Sequence, residues 1–290
     1  MSRPRISVIT TVYNGESYTR TCILSILAQT YHNYEYIIVN DGSTDNTLEL
    51  LQNFAKQDGR IRLFSMGHLG RSDALNFAVK QSRAEYIAVQ DFDDLSAPER
   101  LALQVAFLDS HPRVAEVGGY FILRDELDRR RTLQTPPTEH QDILYAMASR
   151  IALCHTLVAF RRRAWLEVGG YPESPEQDFG LSISFASHGW ELANIPEVLG
   201  EHAEYSESFY HRCINQKFRQ TRMAELQLKA IRAFGLPLWT LMYPVGRLVY
   251  SFLPHQLALL VRRKFGGFPA KTRKGVKSAL PEDELRSCVE

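Results

Sequence analysis

The chain has 290 residues, of which 44% are hydrophobic and 23% charged, and a formal net charge of +1. Its length suits one large α/β domain or one domain with an appendage, and its composition is ordinary for a globular protein. Four dispersed cysteines without zinc spacing exclude a metal-finger scaffold, and no run reaches the ~18 apolar residues of a membrane span.

The near-neutral total hides an asymmetry. Thirteen Lys and Arg residues lie between His211 and Lys274 against one carboxylate, Glu225, so this stretch suits an anionic partner. The apolar stretch from Leu236 to Val261 is broken by Pro237, Pro244, Arg247, Pro254 and His255. Met1 runs almost directly into strand-like sequence, with no signal-peptide pattern. Cys22, Cys154, Cys213 and Cys288 read as free thiols of a reducing compartment. Together these features predict a cytoplasmic protein.

In chain order, Ile6–Thr11 reads as a strand and Tyr18–Ala28 as a helix with Cys22, Ile23, Ile26 and Leu27 on one face. Glu35–Val39 is a second strand, followed by the turn cluster Asn40–Asp45 and a helix over Thr47–Ala55. Ile61–Phe64 is a strand, Ser72–Val79 a helix and Tyr86–Val89 a fourth strand. This alternation predicts a mostly parallel sheet flanked by helices, with ligands bound beyond the carboxyl ends of its strands.

The second half is less regular. Val114–Leu123, His155–Phe160 and Trp190–Ile195 read as strands, Gln177–His188 and Ser208–Phe234 as helices. Arg124–Arg131 reads as an exposed charged segment and Arg273–Glu290 as a loose polar tail.

The strongest chemical signal is Asp91-Phe92-Asp93-Asp94, directly after a buried-type strand. Three crowded carboxylates repel one another unless a cation resolves the repulsion, and hard oxygen ligands suit Mg²⁺ or Mn²⁺. The competing explanation is a solvated acidic turn ahead of the helix near Pro98. In the second loop, an Asx-turn and a helix cap account for Gly42, Ser43 and Asp45 better than for Asp41, which is placed to meet a nucleotide. The phosphate-binding Gly-rich signatures of P-loop ATPases and dinucleotide oxidoreductases are absent.

These motifs, taken together and in order over roughly the first 200 residues, resemble the family 2 glycosyltransferases of the GT-A fold. The resemblance is carried by Ile6 to Gly15, Ile26 to Tyr31, Asn40 to Thr47, Gly70 with Ala74-Leu75-Asn76, Asp91 to Asp94 with Pro98 to Leu101, Cys154-His155-Thr156, Phe160 to Arg162, Val168 to Tyr171, Gln177 to Leu181, and Ile195 to Leu199. It implies an α/β GT-A-type nucleotide-binding sheet flanked by helices, followed by a helical basic and aromatic extension. It implies that Thr11, Tyr13, Asp41, Arg71 and Asp91 bind the nucleotide sugar, that Asp93 holds Mn²⁺ or Mg²⁺, and that Asp178 is the general base.

The implied reaction is an inverting transfer from a nucleotide-diphosphate sugar, with a lean to UDP, onto an acceptor hydroxyl in cell-surface polysaccharide or glycolipid assembly. Gln177 departs from the family's Glu, His68 from a common Asn, and the family's Arg after Leu199 has no clear counterpart. His202 is the nearest residue and reads as a surface histidine. A non-catalytic nucleotide-sugar-binding scaffold on the same fold is the alternative.

The expected organisation is a catalytic domain over 1–207, split into a nucleotide-binding half (1–110) and an acceptor half (111–207). A helical extension over 208–272 and a tail over 273–290 follow. The aromatic and basic residues of 212–274 suit an anionic membrane surface, which would place a lipid-linked or glycan acceptor and the enzyme at the inner face of the plasma membrane. Packing on the catalytic domain and a dimer contact are the rivals, and no nucleic-acid motif is present.

Overall fold

A computed structural model describes residues 3–125, 130–174, 176–204 and 217–252. Strands β1 (Ile6–Val12), β2 (Tyr34–Asp41), β3 (Ile61–Met66) and β4 (Tyr86–Val89) alternate with helices α1 (Glu16–Leu27), α2 (Thr47–Gln57) and α3 (Arg71–Gln81). β2 and β4 pair in parallel with β1, and β3 in parallel with β2. Every residue of β1, β2 and β4 is buried, as in a parallel sheet covered on both faces. The pleat divides their side chains between two cores: Ile37 and Val39 pack with Ile9, Ala78 and Phe160, whereas Tyr36 and Ile38 pack with Val8, Ile23 and Leu101.

The chain continues through β5 (Leu95–Ser96), α4 (Arg100–Ser110), β6 (Val114–Asp125), β7 (Arg130–Gln134), α5 (His140–Ala146), β8 (Ala159–Arg161), α6 (Arg162–Glu167), α7 (Gln177–Ser187) and β9 (Glu191–Glu204). The sheet order is β3-β2-β1-β4-β8-β6-β9-β5, with β7 paired to β6. The strands that follow β1 in sequence lie on one side of it and β4 on the other. The carboxyl ends of β1 and β4 therefore flank the switch in strand order where α/β sheets bind ligands. The architecture is a GT-A-type, mostly parallel sheet flanked by helices.

Three segments differ from the sequence reading. The stretch expected as a strand from His155 begins with a 3-10 turn, His155–Leu157, and only Ala159–Arg161 joins the sheet. The Thr156 hydroxyl there accepts the backbone N–H of Asp91, a bond a continuous strand would not direct to that loop. The ends of the charged Arg124–Arg131 segment pair as a hairpin, with Arg124 opposite Arg131. Those two guanidinium groups approach the fully buried Glu201 at 3.7 and 3.5 Å, which draws the charges onto the sheet edge. The strand expected to stop at Ile195 runs on to Glu204, because β9 follows β6 across several register shifts.

Beyond the sheet, α8 (Lys217–Ala233) is the described part of the long helix expected over Ser208–Phe234, and α9 (Met242–Ser251) follows a short 3-10 turn, Leu238–Leu241. Met223 and Ala230 of α8 join the core that contains Phe179 and Phe185 of α7. Among the described residues, no helix is long and apolar enough to cross a membrane. The expected tail, Arg273–Glu290, lies outside the described residues. Cys22 and Cys154 are free thiols.

Candidate active site

The first two loops hold each other. Asn14 donates its backbone N–H to Ser43 Oγ (3.0 Å) and accepts Thr44 N–H at its side-chain oxygen (2.8 Å). Asp45 accepts the backbone N–H of Glu16 and of Thr47, so it ties loop one to the start of α2. Gly15 is required by close approach: a Cβ there would lie 2.5 Å from Val12 Cγ2 and 2.8 Å from the Phe92 ring. The first loop thus rests directly on the acidic loop.

Asp41 ends β2 and is only 4% exposed. Its carboxylate accepts the backbone N–H groups of Leu69 (2.6 Å) and Gly70 (3.1 Å), which shapes the loop leading into α3. His68 lies against it, with Nδ1 3.2 Å from Oδ2, and stacks obliquely on Tyr13 with ring centroids 4.5 Å apart. Tyr13 is 44% exposed, so the Tyr13–His68 pair forms an open aromatic shelf beside the buried Thr11.

At the end of β4, the buried Gln90 donates its amide to the carbonyls of Asp91 and Asp94, both at 2.9 Å. Its Oε1 accepts Ser96 Oγ–H and Arg100 Nη1. Arg100 is fully buried and also donates to the carbonyls of Val89 and Val158, so one guanidinium underpins the acidic loop. Burial pulls its pKa down to about 10, still high enough to keep the charge at neutral pH.

Asp91, Asp93 and Asp94 each offer an oxygen within 4.8 Å of the others. They have different surroundings. Asp94 is buried, accepts Ala203 N–H at 2.7 Å and pairs with His202 Nδ1 at 3.0 Å. Asp91 takes a forked bond from Arg71 Nη2, 2.7 Å to each oxygen. Burial works against the charge of Asp91, but Arg71 and His155 outweigh it and hold the carboxyl below its usual range. Asp91 and Asp93 are only partly buried, and this all-oxygen cluster fits a hard divalent cation.

Asp178 lies in the first turn of α7, partly buried. His155 feels the charges of both Asp178 and Asp91. Burial lowers the His155 pKa, while the negative charges of Asp178 and Asp91 push the other way; burial wins. His155 Nε2 lies 3.1 Å from the Tyr171 hydroxyl, and its buried Nδ1 has no hydrogen-bond partner among the described residues. Arg71 feels Asp91, Asp178 and Asp93 together, and these charges overcome burial to raise its pKa.

The residues singled out from sequence thus gather at the carboxyl ends of β1, β2 and β4 and the start of α7. Two others emerge only from the structure, and a third, His202, changes its reading. His155 belongs to a motif that gave no hint of its side-chain position. Glu176, directly before Gln177, supplies a buried carboxylate two residues before Asp178 and pairs with Arg219 of α8 at 2.8 Å. His202 is held on Asp94 rather than loose at the surface. Burial opposes its charge, but Asp94 outweighs this and raises its pKa to about 9.

Comparison with known proteins agrees with this geometry. The glycosyl transferase family 2 profile matches residues 7–169. EpsE of Bacillus subtilis (strain 168), a glycosyltransferase by name, is 33% identical over 259 residues, 87% of this chain and 91% of its own. The mannosyltransferase PcManGT from Pyrobaculum calidifontis, solved with GDP-Man and Mn²⁺, superposes with a TM-score of 0.64 at 20% identity, covering 99% of this chain and 80% of that one. TarS 1–349 of S. aureus with UDP-GlcNAc gives 0.55 at 17% identity, covering 90% and 84%. With the acidic loop, the first two post-strand loops and the α7 carboxylate assembled on one fold, the chain is a glycosyltransferase and belongs to glycosyl transferase family 2.

Proposed function

We propose that the protein is an inverting transferase that moves a sugar from a nucleoside-diphosphate donor, UDP-linked by preference, to an acceptor hydroxyl. Its acceptor is a glycan or a lipid-linked glycan in cell-surface polysaccharide or glycolipid assembly. The observation that carries this reading is the charge cluster in which Arg71 feels Asp91, Asp93 and Asp178 at once. One end of that cluster meets a diphosphate and the other end meets a nucleophile.

In this reading the Tyr13–His68 shelf and Thr11 receive the nucleoside, and Asp41 contributes by contact and by shaping the loop at Leu69–Gly70. Asp91 takes the ribose side, held in place by Arg71. Asp93, with Asp91 beside it, would hold Mn²⁺ or Mg²⁺, which when bound neutralises charge developing on the leaving diphosphate. Asp178 takes the proton from the acceptor hydroxyl as its oxygen attacks the anomeric carbon opposite the leaving group. A single displacement inverts that carbon and needs no enzyme nucleophile. The catalytic unit is residues 1–207, with nucleotide and acceptor halves over 1–110 and 111–207. The extension over 208–272 keeps the enzyme peripheral on the inner face of the plasma membrane, and 273–290 is a tail.

Two substitutions test the assignment. Asp93→Asn should abolish transfer and remove Mn²⁺-dependent UDP binding in calorimetry while the fold persists. Asp178→Asn should lower transfer at least ~10²-fold with donor affinity intact, the scale of losing a general base. Metal-dependent affinity that survives in Asp93→Asn, or near wild-type transfer by Asp178→Asn, would reject the corresponding role.

A further inference from the structure

The C-terminal helices present an apolar stripe that the catalytic reading does not use. Leu238, Met242, Val245 and Val249 are spaced four, three and four residues apart, which aligns them along one face of the 3-10 turn and α9. They are 80%, 63%, 55% and 60% exposed. Trp239 stands beside them, 51% exposed, with its ring 6.0 Å from Tyr243 and 5.6 Å from Tyr145 of α5. The other side of this hairpin is anchored: Pro244 is buried, and Arg247 reaches Gln220 and Gln227 of α8. The apolar side chains therefore face outward because of how the hairpin packs.

The helix that α9 packs against is basic. The neighbouring α8 exposes Arg222, Lys229 and Arg232 against one acid, Glu225. The sequence from 253 to 274 adds Arg262, Arg263, Lys264, Lys271, Arg273 and Lys274 and no carboxylate. Aliphatic side chains on one helix face, an adjacent Trp and Tyr, and a surplus of cations are the chemistry of a helix lying in the headgroup region of an anionic bilayer. A second copy of the chain would instead bring two basic surroundings face to face, a like-charge pairing that an anionic surface avoids.

We propose that Leu238, Met242, Val245 and Val249, with Trp239 as an aromatic anchor, form the surface that lays α9 flat on an anionic lipid bilayer. This rests on the peripheral location proposed above and names the residues responsible for it. The catalytic cluster takes no part in the contact.

The test is flotation of the full-length protein with vesicles of phosphatidylglycerol and phosphatidylethanolamine, at low and high salt, beside Met242→Glu/Val249→Glu. The wild type should float at low salt, release at high salt and ignore vesicles of neutral lipid. Trp239 emission should be quenched by brominated lipid, with Trp239→Phe as the control. The double variant should partition at least about tenfold more weakly, from the lost burial of two apolar side chains, with donor affinity unchanged. A double variant that floats like the wild type would reject this surface and leave the peripheral location standing. A wild type that stays at the bottom would reject both. Conversion of a wild-type dimer to a monomer by the double substitution, without lipid binding, would assign the stripe to a second copy.

Discussion

Glu116 of β6 lies under α7, 1% exposed, where Ser182 Oγ donates to its Oε2 at 2.6 Å. The same hydroxyl is 3.2 Å from the Asp178 carbonyl. One hydroxyl proton cannot serve two acceptors, so a Glu116 that keeps its own proton lets the pair satisfy both. Burial pushes this acid up to about 8; Ser182 opposes the rise and Asp178 adds to it. Its folded pKa therefore lies above its unfolded value. The folded chain holds a proton that the unfolded chain has lost, and the associated stability, full below the unfolded value, is lost as pH rises towards about 8. Glu116→Gln keeps an acceptor for Ser182 and removes that titration. Its melting temperature should gain on that of the wild type as pH rises from about 4.5 to about 8, the window between the unfolded and folded values. Parallel melting curves for the two proteins across that range would refute the protonated state. None of this is legible in the sequence, where Glu116 is a polar residue in an apolar run. By contrast the positions of Asp41, Asp91 and Asp93 were readable, because each stands at or just after the carboxyl end of a strand of the parallel sheet.

At the scale of elements, the acidic loop is held by the first turn of α4. Arg100 gives hydrogen bonds to Gln90, Ser96, Gln104 and the carbonyls of Val89 and Val158. Arg100→Met should fill much of the same space but leave those carbonyls unpaired. The expected loss is about 3 kcal/mol in urea unfolding, the scale for breaking a buried charged network. A change under about 1 kcal/mol would mean that water replaces the guanidinium at little cost. The motif Pro98-Glu99-Arg100-Leu101 was visible in the sequence, but the inward direction of Arg100 was not, since charged residues are almost never fully buried. The 3-10 turn at His155 was missed for a related reason. Val158-Ala159-Phe160 has strand-like apolar character, and the hydrogen bond that bends the chain before it comes from a loop 65 positions away.

Across the whole molecule, α8 is joined to the start of α7, two residues before Asp178. Glu176 is 1% exposed and precedes α7, and Arg219 of α8 pairs with it. Burial raises the Glu176 pKa, Arg219 opposes this, and the charge of Asp178 adds to the rise. Arg219→Ala would leave that carboxylate buried without this cation. The expected loss is about 3 kcal/mol of stability, together with a fall in kcat from a displaced Asp178. The double variant Glu176→Gln/Arg219→Met removes both charges and should recover most of the melting temperature. An Arg219→Ala protein with wild-type melting and kcat would show that α8 and the site are energetically separate.

By itself the sequence determined the alternating strand–helix order, the parallel sheet and the positions of its post-strand loops, the acidic one included. Each of these follows from local spacing: apolar runs of strand length, helical periodicity, and turn residues at fixed offsets. Tertiary structure alone decided which side chains meet across the fold: His202 on Asp94, His155 on Tyr171, Arg219 on Glu176, and the outward apolar face of α9. These pairings join residues well separated in the chain, and they depend on which neighbours burial removes from water, a quantity no local window contains.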